Sequence, residues 1–129
     1  MTKHFAVFLS FNGNCAQAFF YYQRCFGGEL TIQTLDEDLP CCEDLKNAVV
    51  CATLRNKYFK LLGTDLTEDG RVTAGNNISI LVECGSVSER AVLVGRLTGR
   101  YFCSYNNENR FIQLVDRYSV NWILGVGIS

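Results

Sequence analysis

The sequence predicts an α+β domain that contains two copies of one βαβββ module, joined into a curved, cup-like mixed sheet with the helices on its outer face. Three observations predict this class. The chain has 129 residues, of which 48% are apolar and 19% charged, a composition typical of one globular domain. Two helix patterns with matching ends recur at a fixed spacing. Strand-like segments precede and follow each helix pattern.

The first module begins with the apolar, β-rich segment HFAVFLSF and continues into a helix after Asn14. Asn14 is a suitable N-cap, and Gln17 stands three residues later, where a capping box requires Glu or Gln. Gly27 can take the backbone conformation that ends a helix. Three strands follow in the segments ELTIQTL, AVVCATL and YFKLLGTD, with a turn at residues 55–57. The first module therefore occupies about residues 4–66.

The second module repeats this layout. Gly85 and Gly99 are separated by the same interval as Gly13 and Gly27, so both ends of the helix pattern recur in one register. Ser86 and Glu89 form a capping box of the S-x-x-E type. The strands are predicted in ISILV, around residues 101–102, in RFIQLV and in VNWILGV, with a turn at residues 116–119 before the last one. The second module occupies about residues 76–127 of a single domain, 1–129.

The first strand of each module, FAVFL or ISILV, is apolar on both faces. Strands with this pattern are commonly buried on both faces. We therefore expect the two sheets to share an interior and to enclose a cavity.

Composition also excludes several classes of function. The net charge is −1 and the sequence has no basic run, which argues against nucleic acid and anionic membranes as partners. No apolar run approaches the roughly 20 residues that span a bilayer, and no signal peptide is recognisable. The seven cysteines are odd in number and lack a C-x-x-C motif, which favours reduced thiols in a cytoplasmic protein over a disulfide framework.

Three segments resemble the vicinal oxygen chelate superfamily of glyoxalase I, bleomycin-resistance proteins and extradiol dioxygenases: FLSFNGNCAQAFFYYQRCFGGEL, ISILVEC and LVDRYSVNWIL. The sequence is most similar to the PhnB-like branch, often labelled 3-demethylubiquinone-9 3-methyltransferase-like. The resemblance covers roughly residues 4–126. It implies two βαβββ modules, usually in a homodimer, and a divalent metal whose His, Gln or Glu ligands come from the first and last strand of each module.

Carried over from this resemblance, the metal-ligand positions fall on Val7, Leu61, Ser79 and Ile123. Aliphatic side chains cannot bind a cation, and a single hydroxyl is a poor ligand. A register shift of one residue is no better, since it brings in Phe8, Leu62, Ile80 and Leu124. We therefore expect no metal at the usual position and no cofactor.

Other side chains could contact a ligand in the cup. Cys51 and Gln113 occupy matching strands of the two modules, Tyr58 offers an aromatic ring, and Arg110 could meet an anionic group at the rim. Each also has a plain structural explanation: a packing cysteine, core aromatics and a surface arginine. The candidate ligand-binding residues are Val7, Leu9, Cys51, Leu61, Ser79, Gln113, Ile123, Tyr58 and Arg110. The single histidine, His4, precedes the first strand and is expected to be solvated.

Three functional hypotheses remain open from the sequence. The first is a metal-independent protein that binds a small apolar or aromatic molecule in its cup. The second is a glyoxalase- or dioxygenase-like enzyme with a non-standard site that uses Cys51, Ser79 or Gln113. The third is a structural or regulatory dimer with a filled cup.

Overall fold

The structure, a computed structural model, describes residues 3–35, 48–67, 71–99 and 108–127. These residues form two helices and seven strands: β1 (Val7–Ser10), α1 (Cys15–Phe26), β2 (Glu29–Thr34), β3 (Val49–Arg55), β4 (Lys60–Thr64), β5 (Ile80–Cys84), α2 (Val87–Thr98), β6 (Phe111–Val115) and β7 (Asn121–Val126). They divide into two compact units, Met1–Val72 (unit 1) and Thr73–Ser129 (unit 2). The predicted α+β class is confirmed. Neither α1 nor α2 has the length and apolar character of a membrane-spanning helix.

Unit 1 has a mixed sheet with the strand order β1-β4-β3-β2, in which β1 and β4 run parallel and the other pairs run antiparallel. Helix α1 packs on one face of this sheet. Gly63 allows the close contact, because a Cβ atom there would lie 2.8 Å from Phe19 Cζ and 3.1 Å from Cys15 Sγ. The side chains of Phe19, Ala52 and Leu54 are completely buried in this layer.

Unit 2 has a second mixed sheet with the strand order β5-β7-β6. Strands β5 and β7 are parallel, and β6 and β7 are antiparallel. One face of the sheet is buried and carries Ile112, Leu114, Trp122 and Leu124, while α2 buries Val94 and Leu97. The strand predicted around residues 101–102 lies outside the described residues.

The two helices begin in different ways. Ser86 caps α2 as predicted: its hydroxyl accepts a hydrogen bond from Glu89 N at 3.1 Å, and the Glu89 carboxylate accepts one from Gly85 N at 2.9 Å. Asn14 stands at the N-cap of α1, but its side chain makes no capping hydrogen bond. The prediction of a side-chain cap at Asn14 is therefore wrong.

The prediction that the first strand of each module is buried on both faces is also wrong for this chain. Val7 is 37% exposed and Phe8 is 57% exposed in β1, and Leu81 is 49% exposed in β5. Both strands lie at the edge of their sheets among the described residues. An edge strand has only one neighbouring strand, and here Val7 and Phe8, which point to opposite faces of β1, both stay accessible.

Candidate functional site

In unit 1 the candidate site is the open face of the sheet, defined as the face opposite α1. Side chains of registered cross-strand partners share a face, so the strand pairing fixes the membership of each face. Gly63 contacts α1, and the residues in the alternate positions therefore point away from the helix. The open face of unit 1 carries Phe8, Ser10, Glu29, Thr31, Gln33, Cys51, Thr53, Arg55, Lys60 and Leu62.

In unit 2 the open face is the one opposite the buried side chains of Trp122 and Leu124. It is more apolar than its counterpart in unit 1. Leu81 is 49% exposed, Phe111 47% and Val115 60%. The open face of unit 2 carries Leu81, Glu83, Phe111, Gln113, Val115, Asn121, Ile123 and Gly125.

The structure divides the predicted site residues between the two faces of each sheet. Cys51, Gln113 and Ile123 lie on the open faces. Ser79 lies one residue before β5 and is half-buried. In contrast, Val7, Leu9 and Leu61 share the α1 side with Gly63, and Leu61 is only 4% exposed. Whether any of these residues binds a ligand stays a prediction.

Of the four positions carried over from the resemblance, Val7 and Leu61 are cross-strand partners, whereas Ile123 pairs with Leu81 and Ser79 precedes β5. The structure pairs Phe8 with Leu62 in unit 1 and Leu81 with Ile123 in unit 2, all on the open faces. Leu81 is therefore the counterpart of Phe8, whereas the spacing between the two helix starts would assign Ile80 to that position. The connection between the first strand and the helix is thus one residue shorter in unit 2.

The open-face residues of the paired first and last strands do not fit a divalent metal. Phe8, Leu62, Leu81 and Ile123 have no donor atom in their side chains, whereas divalent metals require nitrogen, oxygen or sulfur ligands. On the first and last strands of both units, the open faces carry one carboxylate, Glu83. Within the described residues, no group of three His, Cys, Asp or Glu side chains could hold a metal ion.

The thiol of Cys51 lies on the open face of unit 1. Its Sγ lies 3.8 Å from Ala52 O and 3.8 Å from Thr53 Oγ1, and no imidazole or carboxylate from the described residues hydrogen-bonds to it. Cys15 is fully buried under α1, and burial, followed by the nearby Asp65 carboxylate, raises the pKa of its thiol to about 12. Neither cysteine has the partner that activates a catalytic thiolate. His4 is exposed ahead of β1.

Tyr58 and Arg110 have structural contacts. Tyr58 is 80% exposed in the β3–β4 turn rather than in the strand predicted for it, and Lys57 Nζ lies 5.0 Å from the centre of its ring. Arg110 Nη2 donates a hydrogen bond to Gly127 O at 2.9 Å. The Arg110 carbonyl accepts one from Val126 N at 3.1 Å. Arg110 thus joins the start of β6 to the end of β7.

Asp65 has a role that the sequence did not reveal. Its Oδ1 accepts hydrogen bonds from Gly13 N and Cys15 N, both at 3.0 Å, and its Oδ2 accepts one from Val49 N at 2.9 Å. A single carboxylate therefore holds the end of β4, the start of α1 and the start of β3. It also places a negative charge at the positive end of α1, where the Asn14 side chain makes no cap.

Asp116 lies in the segment LVDRYSVNWIL and accepts hydrogen bonds from three of its residues. Its Oδ1 accepts hydrogen bonds from Tyr118 N at 2.7 Å and Val120 N at 3.2 Å, and its Oδ2 accepts one from Trp122 Nε1 at 2.8 Å. The carboxylate closes the β6–β7 turn and satisfies the buried indole. In unit 1, Asn56 Oδ1 closes the β3–β4 turn by accepting hydrogen bonds from Tyr58 N at 2.8 Å and Phe59 N at 3.1 Å.

Arg90 is a buried cation on the inner side of α2. Its side chain is completely buried, and its Nη1 donates hydrogen bonds to Arg110 O at 3.0 Å and Leu124 O at 3.5 Å. The helical spacing places residue 90 on the face that packs against the sheet. Arginine is rarely fully buried, so the sequence alone would predict a solvent-exposed side chain at this position. Its hydrogen bonds to the backbone give it a structural role.

Comparison with known proteins identifies the fold. The chain is similar to the protein PA1353 from Pseudomonas aeruginosa, with a TM-score of 0.75 and 24% identity over 97% of this chain and 98% of that one. It is also similar to a putative 3-demethylubiquinone-9 3-methyltransferase, PhnB protein, from Bacillus cereus, with a TM-score of 0.73 and 22% identity over 97% and 100% of the two chains.

A more distant likeness is to a lactoylglutathione lyase from Agrobacterium tumefaciens, with a TM-score of 0.53 and 17% identity over 98% and 95% of the two chains. No protein-family model matches the sequence, and no curated protein matches it significantly. At identities below 25%, the likeness establishes the glyoxalase fold. The resemblance to the PhnB-like branch is therefore confirmed at the level of the fold.

Proposed function

We propose that this chain is a metal-independent small-molecule-binding protein of the glyoxalase and bleomycin-resistance superfamily, with ligand contacts on the open faces of its two sheets. One observation carries the proposal: the first and last strands of each unit, from which the resembled superfamily draws its metal ligands, present Phe8, Leu62, Leu81 and Ile123 on their open faces. Such side chains favour an apolar or aromatic ligand and disfavour a cation.

The character of the open faces supports binding. In unit 2, Gln113 lies between the exposed side chains of Phe111 and Val115 along β6, and its partner in β7, Ile123, is in turn the partner of Leu81. Small-molecule sites commonly combine an apolar lining with a few polar groups that orient the ligand. Of the residues predicted from sequence, we retain Cys51, Gln113, Ile123 and Ser79. Phe8, Leu62 and Leu81 replace Val7, Leu9 and Leu61.

We further infer that the protein acts as a homodimer in a reducing compartment such as the cytoplasm. Phe5 is 95% exposed and Ile78 is 76% exposed, and exposed large apolar side chains often mark a protein interface. Among the described residues, the thiols of Cys15, Cys51 and Cys84 form no disulfide bond. Sedimentation equilibrium tests the dimer, and a mass equal to that of one chain at micromolar concentration would reject it.

A ligand screen tests the binding function. We expect neutral apolar or aromatic compounds to raise the melting temperature of the purified protein without added divalent ions. Leu62→Gln, on the open face, should weaken each hit, whereas Leu66→Gln is the matched control because Leu66 is exposed outside both sheets. The proposal would be overturned if compounds bound only in the presence of a divalent ion, or if they bound Leu62→Gln as tightly as the wild type.

A further inference from the structure

Two cations face each other on the open face of unit 1. Arg55 and Lys60 are direct cross-strand partners in the antiparallel pair β3–β4, and both side chains are exposed. Directly opposed side chains in such a pair have Cβ atoms roughly 4.5–5.5 Å apart, and like charges in this position destabilise a sheet. The arrangement therefore has a cost that a bound anion would offset.

The neighbouring side chains leave this pair with a net positive charge. Glu29 is the partner of Arg55 on the other side, in β2, so the row across the sheet contains two cations and one carboxylate. Among the described residues, no hydrogen bond or ion pair engages the side chains of Arg55, Lys60 or Glu29. Lys57 adds a further positive charge in the adjoining turn, where it lies over the ring of Tyr58.

The backbone at this position is held firmly. Gly28 has a φ of +111°, and a Cβ atom there would lie 2.8 Å from Arg55 O, so the chain before β2 packs directly on the Arg55 backbone. Asn56, the next residue, closes the turn with its side chain and its backbone N–H. The base of the Arg55 side chain is therefore positioned before any ligand arrives, which lowers the entropic cost of binding.

The surroundings of the pair change from charged to apolar along the strands. Two residues further along β3 and β4 on the same face lie Thr53 and Leu62, which are partners, and Phe8 is the neighbour of Leu62 in β1. A ligand whose anionic group lies at Arg55 and Lys60 would place its body over a hydroxyl and two apolar side chains. Arginine and lysine bind both carboxylates and phosphates through charge-assisted hydrogen bonds.

We propose that Arg55 and Lys60 form an anion subsite, and that the ligand of this protein is an organic anion with an apolar or aromatic body. This inference rests on the proposed binding function and specifies the chemistry of the ligand. The negative group is a carboxylate or a phosphate monoester, and the Thr53, Leu62 and Phe8 side chains contact the rest of the molecule.

Titration followed by NMR tests the subsite. The probes are benzoate, phenyl phosphate, inorganic phosphate and the neutral benzamide, at constant ionic strength. We expect both aromatic anions to shift the amide resonances around Arg55, Lys60 and Thr53, and to bind about tenfold more weakly to Arg55→Gln and to Lys60→Gln. The comparison of benzoate with phenyl phosphate identifies the preferred anionic group. Arg71→Gln is the matched control, since Arg71 is exposed outside the sheet.

The ligand-free variants supply a second readout that separates binding from folding. In low salt, Lys60→Gln should melt at or above the wild-type temperature, because it removes the like-charge contact with Arg55. Arg55→Gln removes the same contact and also the attraction of Glu29, so it should melt no higher than Lys60→Gln. Anions that bind the wild type and both variants equally, or that fail to bind the wild type, would overturn the subsite. If the anion subsite is overturned in this way but neutral compounds still bind the open faces, the proposed function stands without the subsite. If no compound of either charge binds, both fail.

Discussion

Asp65 is the residue on which the arrangement of unit 1 depends most. Its carboxylate accepts three backbone hydrogen bonds from segments that lie 16 to 52 residues away along the chain. We expect Asp65→Ala to lower the free energy of unfolding by roughly 2–4 kcal/mol, since hydrogen bonds to a charged group contribute more than neutral ones. Urea denaturation measures the loss.

Glu83→Ala is the matched control for Asp65, because Glu83 is an exposed carboxylate on the open face of unit 2. Its removal should change the free energy of unfolding by less than about 0.5 kcal/mol. Equal effects of the two substitutions would show that the three hydrogen bonds of Asp65 add nothing to stability.

Cys15 gives a prediction about pH. Burial and the Asp65 carboxylate raise the pKa of the folded thiol to about 12, from a reference value of 9.0. Above pH 9.0 the unfolded chain therefore releases a proton that the folded chain keeps, so stability falls as pH rises toward the folded pKa. Below that range the contribution is fully present.

The stability of the wild type relative to Cys15→Ala, measured by urea denaturation at several pH values above neutrality, should therefore decrease as the solution becomes more alkaline. The variant keeps every other group that titrates in the alkaline range, so the contributions of those groups cancel in the difference. A difference that stays constant across the alkaline range would contradict the assignment of a buried neutral thiol.

The functions of single residues were only partly predictable from the sequence. Ser86 and Glu89 are three residues apart, and the predicted cap is confirmed by the hydrogen bond from Glu89 N to the Ser86 hydroxyl. The Glu89 carboxylate accepts its hydrogen bond from Gly85 N, one residue before the N-cap. Such contacts are local, so the sequence reveals them. Asp65 could not be recognised as the group that binds the start of α1, because its partners there, Gly13 and Cys15, are distant in the sequence. Sequence spacing carries no information about contacts of that range.

At the scale of elements, the register of β1 on β4 decides which side chains a ligand can reach. The structure pairs Phe8 with Leu62 on the open face, and Val7 with Leu61 on the α1 side. We predict that a double variant, Phe8→His with Leu62→His, binds Ni²⁺, because two imidazoles on adjacent strands can share one ion. Ni²⁺ at one hundred times its Kd should raise the free energy of unfolding of this variant by about 2.7 kcal/mol, and its melting temperature should rise accordingly.

The matched control is the double variant Val7→His with Leu61→His. Leu61 is 4% exposed and faces α1, so this pair should destabilise the fold and gain no comparable stabilisation from Ni²⁺. The opposite result, a Ni²⁺ site at Val7 and Leu61 but not at Phe8 and Leu62, would mean that β1 presents its other face.

This one-residue difference also shows where sequence reasoning about elements fails. The described strands, both helices and the turn before β7 were predicted, whereas the turn before β4 was expected at residues 55–57 and lies between Arg55 and Lys60. The face of β1 was not predicted correctly, because β1 reads Val7-Phe8-Leu9 and apolar residues on both faces give no alternation. The helix ends indicated one constant repeat interval, but the strand-to-helix connections differ by one residue.

At the scale of the whole molecule, the fold was more predictable than the function. The repeated βαβββ pattern led to the glyoxalase fold, and solved structures with TM-scores of 0.75 and 0.73 confirm it. The identity of the ligand was not predictable, because function depends on which side chains occupy a few positions of the fold. In this chain those positions are apolar, which is why we propose binding without a metal.

The central claim is therefore that binding requires no metal. The most direct test is the melting temperature of the purified, metal-depleted wild type as Ni²⁺ or Mn²⁺ is added, with the Phe8→His, Leu62→His variant as the positive control. We predict no saturable change for the wild type and a saturable rise for the variant with Ni²⁺. A saturable rise for the wild type, with a stoichiometry of one ion per chain, would contradict the claim.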